Sequence, residues 1–455
     1  MLLNFKISRV LHAGYVLEIE DGKLIAFDPI FENPFSHNCY AYPNVSFDYE
    51  QIKKLKFEAV FISHFHDDHC SLESLNWFDR NTPIYLFCIF DELFVLIKKL
   101  GFKKVYSINL EQKMSIGTLN ILPLRAVDED VDTIFHIEFQ GINILNVVDS
   151  WIHPETMKKL SQISSWDLII WPFQTMRELE VLSPKRFLPS TQELPFEWLE
   201  QLQQLRPRCL IPGSCQFIHE SWSWYNHAFF PISYEVFESE IKKIIPQTTI
   251  IRLNPAKTLR WKDTEFQKEG QLSWVIPIGN QEVDYVYLND LKPPKTYEIS
   301  PYLGQVSDIV RKRTTEYCQK DLLIKFSELD ESLNFYFSHQ NIWKLSLYDE
   351  LGKSAEFYYL IQKQRILLLT EIPEKEKISW TTEIPMLKLY SALEQGEALT
   401  SLYMRINDIT FSDEVERKLK DFEVEILEDP LIRCLFSCAV GSYQKAQLNK
   451  ILKQN

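Results

Sequence analysis

The sequence lacks the features of a secreted, disulfide-bonded or membrane-spanning protein. Its eight cysteines are scattered and include no Cys-x-x-Cys pair, which favours reduced, mostly buried thiols over a disulfide framework. No uninterrupted apolar run reaches about 18 residues, the length typical of a membrane-spanning helix. The start of the chain has no basic stretch followed by a long apolar one, as a secretory signal would. We therefore expect a cytoplasmic protein without a membrane span.

Positive charge is also scarce. The 49 lysine and arginine residues are outnumbered by 63 aspartate and glutamate residues, so the net charge is -14. Because nucleic-acid backbones are bound mainly through positive charge, this balance argues against a nucleic-acid partner. A small-molecule substrate, including an anionic one, is compatible with it. The length of 455 residues exceeds what one hydrophobic core usually organises, so we expect two domains.

Short strand-like runs, such as "KLIAFDP", "AVFIS" and "NILNVVD", recur up to about residue 260. Stretches with helical periodicity lie between them, including "DELFVLIKKLGF", which ends at a probable glycine cap, Gly101. Hairpins mixed with β-α units predict an α/β sandwich in which helices cover the sheets. We assign residues 1–265 to this domain and expect it to be the catalytic one.

The remaining chain has a different organisation. Residues 266–298 are polar and are predicted to be a linker. In residues 299–455, strand-like runs such as "LNFYFSH" and "IWKLSLYDE" precede helical "MLKLYSALEQG", which predicts a smaller α+β C-terminal domain. This order resembles sterol-carrier-like modules, which would imply binding of an apolar ligand. A lid or a dimerisation domain, and hence a homodimer, is the alternative.

Metal-binding side chains cluster behind one predicted strand. In "AVFISHFHDDHC", His64, His66, Asp68 and His69 follow an apolar run, on a loop that a rigid sheet edge would hold. Imidazole and carboxylate groups together suit zinc or iron. A lone histidine is more often an ordinary hydrogen-bonded side chain, but four such residues at this spacing predict a metal site.

The order His-x-His-x-Asp-His after an apolar strand resembles the motif of the metallo-β-lactamase superfamily. This resemblance implies a four-layer αββα fold with one or two metal ions at the sheet edge. It also implies that Asp28, in "LIAFDP", braces the site and that Asp149, in "GINILNVVD", bridges two metals. Asp68 and Asp149 are then the candidate catalytic residues.

One histidine of that superfamily is replaced here. It usually stands upstream of the bridging aspartate, at the position that is Asp128 in this chain. With His64 and His66, Asp128 would complete the two-histidine, one-carboxylate set associated with non-haem iron. Two alternatives stay open: the alignment shifts to Asp130, or Asp128 belongs to a solvated acidic loop.

The resemblance further implies a late histidine that completes the second metal site with Asp68 and His69. The segment "RCLIPGSCQFIHESWSWYNHAFFPIS" offers His227, which we favour, and His219 as the alternative. Aromatic residues interleave with these histidines and would either line an apolar substrate pocket or belong to the core. The pocket candidates are Trp222, Trp224 and Tyr225.

Longer segments are similar, in the same order, to the CMP-N-acetylneuraminate hydroxylase family: "VDTIFHIEFQGINILNVVD", "LRPRCLIP", "NPAKTL" and "SPYLG". Members of that family join a Rieske iron–sulfur domain to an iron-containing, metallo-β-lactamase-like part that hydroxylates a sugar N-acetyl group. No cysteine here is followed by histidine at a Rieske spacing, so an external ferredoxin or reductase would have to supply electrons. Diiron β-hydroxylases of antibiotic assembly lines, in the same superfamily, also carry a carboxylate in place of that histidine.

These observations predict an enzyme with two metal ions, with iron favoured and zinc as the alternative. The first hypothesis is an oxygen-activating iron hydroxylase or monooxygenase. The second is a zinc hydrolase of a phosphodiester, ester or amide, in which the metals lower the pKa of a bridging water that Asp68 orients. The third is a binding protein with a vestigial site, which is disfavoured because a cluster of like-charged groups is costly to keep.

Overall fold

The chain divides into two compact units in a computed structural model that describes residues 5–186, 188–329, 335–437 and 440–454. Unit 1 comprises residues 1–176, 190–288 and 447–455, and unit 2 comprises residues 177–189 and 289–446. Among the described residues, no helix combines the length and the apolar character that crossing a membrane requires.

Unit 1 contains an eight-stranded sheet, called here the first sheet. Lys6–Arg9, Tyr15–Glu18 and Leu24–Phe27 follow one another through short turns and pair antiparallel, whereas Leu24–Phe27, Phe57–Ile62 and Ile84–Leu86 are separated by longer connections and pair parallel. In spatial order the strands are Glu265–Gln271, Lys257–Lys262, Lys6–Arg9, Tyr15–Glu18, Leu24–Phe27, Phe57–Ile62, Ile84–Leu86 and Val105–Ser107. The parallel strands Leu24–Phe27 and Phe57–Ile62 end side by side, because Phe27 pairs with Phe61.

The second sheet of unit 1 has seven strands. In spatial order they are Thr249–Ile250, Cys209–Pro212, Leu168–Trp171, Ile142–Asn146, Thr133–Phe139, Leu119–Arg125 and Met114–Ile116. A two-residue turn joins Thr133–Phe139 to Ile142–Asn146, and both of its residues, Gln140 and Gly141, have positive φ values of 48° and 89°. A tight hairpin requires that conformation, which glycine adopts without strain.

The two sheets pack face to face through alternating apolar side chains. Along Thr133–Phe139, Phe135, Ile137 and Phe139 are buried in this core. The rings of Phe135 and Phe27, from opposite sheets, lie 5.3 Å apart. Burial of each such side chain contributes about 1.5–3 kcal/mol, so the core holds the strand ends in register.

Helices of unit 1 bury one face each. In Asp91–Lys99 the buried residues are Leu93, Leu96 and Ile97, at helical spacing, and Gly101 follows with a φ of 109°. The helices of unit 1 are Tyr49–Ile52, Leu72–Leu75, Asp91–Lys99, Pro154–Leu160, Phe196–Leu205 and Tyr234–Ile244, together with Ser442–Gln454 from residue 447 onward. The α/β class predicted from the sequence is confirmed by these two sheets and their helices.

Unit 2 is built on a five-stranded sheet. In spatial order its strands are Arg365–Leu368, Ser354–Gln362, Asn341–Tyr348, Ile378–Pro385 and Arg405–Ile406. Its helices are Glu178–Leu182, Thr296–Ile299, Asp308–Glu316, a π turn at Tyr317–Asp321, Leu322–Ser327, Phe335–Ser338, Met386–Gln395, Asp413–Asp421 and Pro430–Phe436. Trp343, Tyr359 and Trp380 are fully buried in the core of this unit.

Two features of the fold differ from the sequence expectation. The strand expected in "LNFYFSH" is a helix at Phe335–Ser338, where the adjacent side chains of Tyr336 and Phe337 are both buried, while residues 333 and 334 lie outside the described residues. The segment expected to be a linker contains Val275–Pro277, which pairs with Val45–Phe47 of unit 1. The sterol-carrier likeness of the C-terminal part stays a prediction.

Candidate metal centre

The site begins where two parallel strands of the first sheet end. Asp28 follows Leu24–Phe27, and Ser63 follows Phe57–Ile62. The backbone N–H of Ser63 donates to Asp28 Oδ1 over 2.7 Å, and its hydroxyl donates to Asp28 Oδ2, also over 2.7 Å. Both residues are fully buried, so the carboxylate of Asp28 fixes the start of the histidine-rich loop.

Hydrogen bonds to this pair define which nitrogen of two histidines can bind a metal. His69 Nδ1 lies 3.2 Å from Asp28 Oδ2, which can only accept, and His64 Nδ1 lies 2.9 Å from Ser63 Oγ. Because the Ser63 hydroxyl proton is already directed at Asp28, Ser63 accepts from His64. Both rings therefore carry a proton on Nδ1, so Nε2 is the nitrogen of each ring that can bind a metal once it is unprotonated, as in metal-binding histidines oriented by a carboxylate.

The ligand atoms gather in two overlapping groups, within each of which they lie no more than 4.8 Å apart. The first group consists of His64, His66 and Asp68, and the second consists of His12, Asp68, His69 and Asp149. In the second group His69 Nε2 lies 3.1 Å from Asp149 Oδ2 and 3.6 Å from Asp68 Oδ2. Since Asp68 belongs to both groups, the cluster fits a dinuclear site.

His12 is a member of this cluster that the sequence analysis missed. It lies in the turn between Lys6–Arg9 and Tyr15–Glu18, and the buried Arg9 side chain donates to its carbonyl oxygen. Gly14 lets this turn approach the site closely, because a Cβ atom there would lie only 2.8 Å from the Asp28 carbonyl oxygen. The sequence could have indicated His12, because the strand that follows its turn, Tyr15–Glu18, pairs with the strand that ends before Asp28.

The hydrogen bonds of His12 differ from those of the other two histidines. Its Nδ1 accepts the backbone N–H of Cys215 over 3.1 Å, so the proton of the neutral ring is on Nε2. That Nε2 lies 3.0 Å from Asp68 Oδ2. We therefore interpret His12 as a positioning residue that donates a hydrogen bond to Asp68, rather than as a metal ligand.

The electrostatics of the cluster call for a cation. Burial opposes charge on Asp68 and Asp149, but the positive charge of His69 holds the pKa of both carboxyl groups below the usual range. Burial likewise opposes charge on His69, yet these carboxylates raise its pKa well above the usual value. Burial and then the charge of His69 lower the pKa of His64 to about 4, so this ring is neutral at pH 7. A divalent metal ion can replace the His69 proton as the balancing charge.

The acidic segment before Thr133–Phe139 places a different carboxylate near the site from the one predicted. Asp128 and Asp130 are exposed, and Asp128 begins a turn in which its carbonyl oxygen accepts the N–H of Asp132 over 2.8 Å. After this turn, Asp132 Oδ1 lies 3.8 Å from His64 Nδ1. Burial and the charge of Asp149 raise the pKa of Asp132 to about 6. Of the three aspartates in this segment, the turn therefore brings Asp132 near His64 and leaves Asp128 and Asp130 exposed.

The structure brings neither late histidine into the cluster. His227 is exposed in a single helical turn, and its Nδ1 lies 2.9 Å from the Val286 carbonyl oxygen. His219 is buried, and its ring contacts that of Phe217, which in turn contacts the ring of His12. Neither late histidine belongs to the ligand groups found among the described residues.

The three aromatic pocket candidates are mostly interior side chains. Tyr225 is fully buried and Trp224 is nearly so, whereas Trp222 is only partly buried. The rings of Trp224 and Tyr225 contact each other, and Tyr225 also stacks on Phe229. In this structure Trp224 and Tyr225 therefore form part of a packed aromatic core rather than an open wall.

A second carboxylate, that of the partly buried Glu32, holds the far end of the metal-binding loop. Glu32 accepts hydrogen bonds from the hydroxyls of Ser71 and Ser74, at the start of the helix Leu72–Leu75. The side-chain amide of Gln447 also binds the start of this helix. Its nitrogen donates to Ser71 Oγ over 3.0 Å, and its oxygen accepts the N–H of Leu72 over 2.7 Å. Burial raises the pKa of Glu32 to about 7, although both serine hydrogen bonds lower it.

We expect Glu32→Gln to change how stability depends on pH. Since the pKa of Glu32 is higher in the folded chain than its usual 4.5, this residue destabilises the fold progressively as the pH rises from about 4.5 to about 7. Unfolding of the metal-free chain should therefore show the variant gaining about 1–2 kcal/mol relative to the native protein between pH 5 and pH 8. The exposed Glu58→Gln control should show the same difference at both pH values. A stability difference for Glu32→Gln that does not depend on pH contradicts the assignment.

Known structures with a similar fold were found for about half of the chain. The metallo hydrolase Igni18 from Ignicoccus hospitalis is 16% identical over 57% of this chain and 99% of its own, with a TM-score of 0.39. CmlA from Streptomyces venezuelae, a diiron β-hydroxylase, is 15% identical over 56% of this chain and 54% of its own, with a TM-score of 0.38. YhfI from Bacillus subtilis, a metallo-β-lactamase-fold protein, is 14% identical over 57% of this chain and 99% of its own, also with a TM-score of 0.38.

No protein-family model and no curated protein matches the chain. Proteins described as having the metallo-β-lactamase fold are among the structural neighbours, in line with the resemblance predicted from the sequence. Both hydrolases and a hydroxylase occur among them, so this likeness does not choose between the two chemistries.

Proposed function

We propose that this protein is a dinuclear metal enzyme that uses iron and dioxygen to hydroxylate a small molecule. His64, His66 and Asp68 would hold the first iron, and Asp68, His69 and Asp149 would hold the second. The observation that carries the proposal is the composition of the first ligand group, which is two imidazoles and one carboxylate. That set leaves coordination positions open and is associated with non-haem iron oxygenases.

The charge of the cluster supports the same choice of metal. Asp68 and Asp149 contribute two carboxylates to the ligand groups, and Asp132 adds a third beside His64. Carboxylates are hard anionic ligands that offset the higher charge of an oxidised iron centre. Within the described residues, no third histidine belongs to the group that contains His64 and His66.

The protein's own groups orient the ligands and hold protons. Asp28, with Ser63, keeps the Nδ1 protons of His64 and His69 directed away from the metal positions. His12 holds the Asp68 carboxylate through its Nε2 proton. When bound, the iron pair would supply the redox chemistry that reduces dioxygen. Each hydroxylation puts one oxygen atom into the substrate and reduces the other to water, so an external ferredoxin or reductase has to deliver two electrons.

The test compares iron-loaded and zinc-loaded protein under controlled oxygen. We expect protein purified without oxygen to hold about two iron ions per chain and, once reduced, to consume dioxygen. The zinc-loaded protein should not consume it. If instead the zinc form hydrolyses ester or phosphodiester probes in strict anaerobiosis and the reduced iron form does not react with dioxygen, the protein is a hydrolase.

Two variants make this test specific to the site. Asp132→Asn should lower the rate of dioxygen consumption roughly tenfold, because the amide no longer holds a negative charge beside His64. Asp130→Asn, on the exposed turn, is the matched control and should keep the native rate. Equal rates for the two variants would show that the acidic segment has no role, and a larger loss for Asp130→Asn would shift the register of the turn by two residues.

A further inference from the structure

Exposed and partly exposed apolar side chains stand next to residues of the metal cluster, either in the chain or through ring and backbone contacts. We call Phe65, Ile89, Phe90, Val127 and Trp151 the apolar rim. Solvent-exposed apolar groups that lie together around a polar centre mark a binding surface more often than isolated ones do. Three of these side chains are open to solvent, with Ile89 55%, Val127 57% and Trp151 40% exposed.

One side of the rim is attached to the histidine motif itself. Phe65 stands between His64 and His66 in the chain, and its ring lies 5.2 Å from the His66 ring. The ring of Phe90 lies 5.4 Å from Phe65 in an edge-to-face contact, and Ile89 precedes Phe90 in the segment after Ile84–Leu86. Phe65 and Phe90 are both partly exposed.

The other side of the rim is attached to the bridging carboxylate. Trp151 stands two residues after Asp149, and its carbonyl oxygen accepts the N–H of Val127 over 2.8 Å. Ala126 and Ile152 also pair across this contact, so the two apolar side chains are held on neighbouring backbone segments. The Trp151 ring packs against the ring of the buried Trp198, with the ring centroids 5.4 Å apart.

The charged groups next to the rim are mainly negative. Asp91 and Glu92 follow Phe90 directly and are exposed, and Asp128 follows Val127. Arg125, in the segment that contains Val127, pairs with Glu129 over 3.0 Å. A phosphate or carboxylate on the substrate would meet like charge here, whereas a neutral apolar group would be desolvated by the rim.

From this geometry we infer that the substrate carries an aromatic or branched aliphatic group beside the reacting centre and no phosphate. The inference rests on the proposed metal centre and adds the substrate class. It separates this protein from an enzyme for nucleotide sugars or phosphodiesters, in which cationic side chains would line the approach to the metals.

Binding of hydroxamates tests the inference, because a hydroxamate chelates metal ions and can carry different tails. The measurement is calorimetric titration of the whole, zinc-loaded chain with acetohydroxamate, benzohydroxamate and 4-carboxybenzohydroxamate. We expect benzohydroxamate to bind at least about tenfold more tightly than acetohydroxamate, and the carboxylated probe to lose most of this gain. Equal affinities of the first two probes, or tightest binding of the carboxylated one, would overturn the inference.

Variants assign the effect to the rim. Trp151→Ala should reduce the preference for the phenyl tail to less than about threefold, and Ile89→Ala, a milder change, should reduce it in part. Ile276→Ala is the matched control, since Ile276 is 45% exposed on the separate strand pair of Val275–Pro277 and Val45–Phe47, and it should keep the full preference. If acetohydroxamate binds but the variants change nothing, the rim is not the binding surface. If no hydroxamate binds at all, the metal centre itself is contradicted, and this inference with it.

Discussion

Asp68→Ala is expected to remove both metal ions from the protein. Asp68 is the one residue common to the two ligand groups, and its carboxylate lies 3.6 Å from His69 Nε2. Without it the first group retains only two imidazoles and the second loses one of its two carboxylates. We expect the metal content after dialysis to fall from about two ions per chain to well below one, and turnover to fall at least roughly a hundredfold. Elemental analysis and a turnover assay measure the two quantities.

A matched control separates this effect from a general loss of acidic charge. Asp128→Ala removes a carboxylate that the sequence predicted as a ligand but that the structure leaves exposed. It should keep both metal ions and the native circular dichroism spectrum. If Asp128→Ala loses one ion, Asp128 is a ligand as the sequence analysis predicted. If Asp68→Ala keeps both ions, Asp68 is not a ligand, against both the sequence-based assignment and the geometry of the cluster.

His12→Ala is expected to weaken metal binding without changing the number of ions bound at saturation. The variant removes the N–H donor at Nε2, which lies 3.0 Å from Asp68 Oδ2, so the carboxylate is no longer held towards both metal positions. Loss of such an orienting group typically costs about 10–100-fold in metal affinity. His12→Gln should recover part of this loss, because its amide N–H can donate to Asp68. Competition with a chelating dye gives the affinity and the stoichiometry together.

His227, one of the two late histidines, provides the comparison. His227→Ala should have the native affinity, since His227 is exposed and its ring contacts the Val286 carbonyl oxygen rather than the cluster. If His12→Ala binds a single ion even at saturating metal, His12 is itself a ligand. If His227→Ala loses one ion, the late histidine implied by the superfamily resemblance is the ligand after all.

The sequence by itself determined the architecture of unit 1 and the place of the site. Both depend on local patterns: alternating apolar residues predict strands, and a dense group of histidines and aspartates behind "AVFIS" marks a loop at a strand end. Asp68 and His69 share the loop with His64 and His66, so their proximity follows from chain connectivity alone. Asp28 and Asp149 came from the superfamily resemblance, and the structure places both in hydrogen-bonding contact with His69.

Only the tertiary structure decided which distant side chains complete the cluster and in which protonation form. His12 enters because a tight turn from a neighbouring strand reaches Asp68, and its role follows from a backbone N–H that lies 203 positions away in the chain. Asp132, and not the exposed Asp128, lies near His64 because a backbone turn separates the two residues, which no count along the chain reveals. His219 and His227 stay outside because Phe217 and the Val286 carbonyl oxygen are their neighbours instead. Periodicity reports only which face of an element is buried, whereas ligand choice depends on where separate loops meet at the sheet edge.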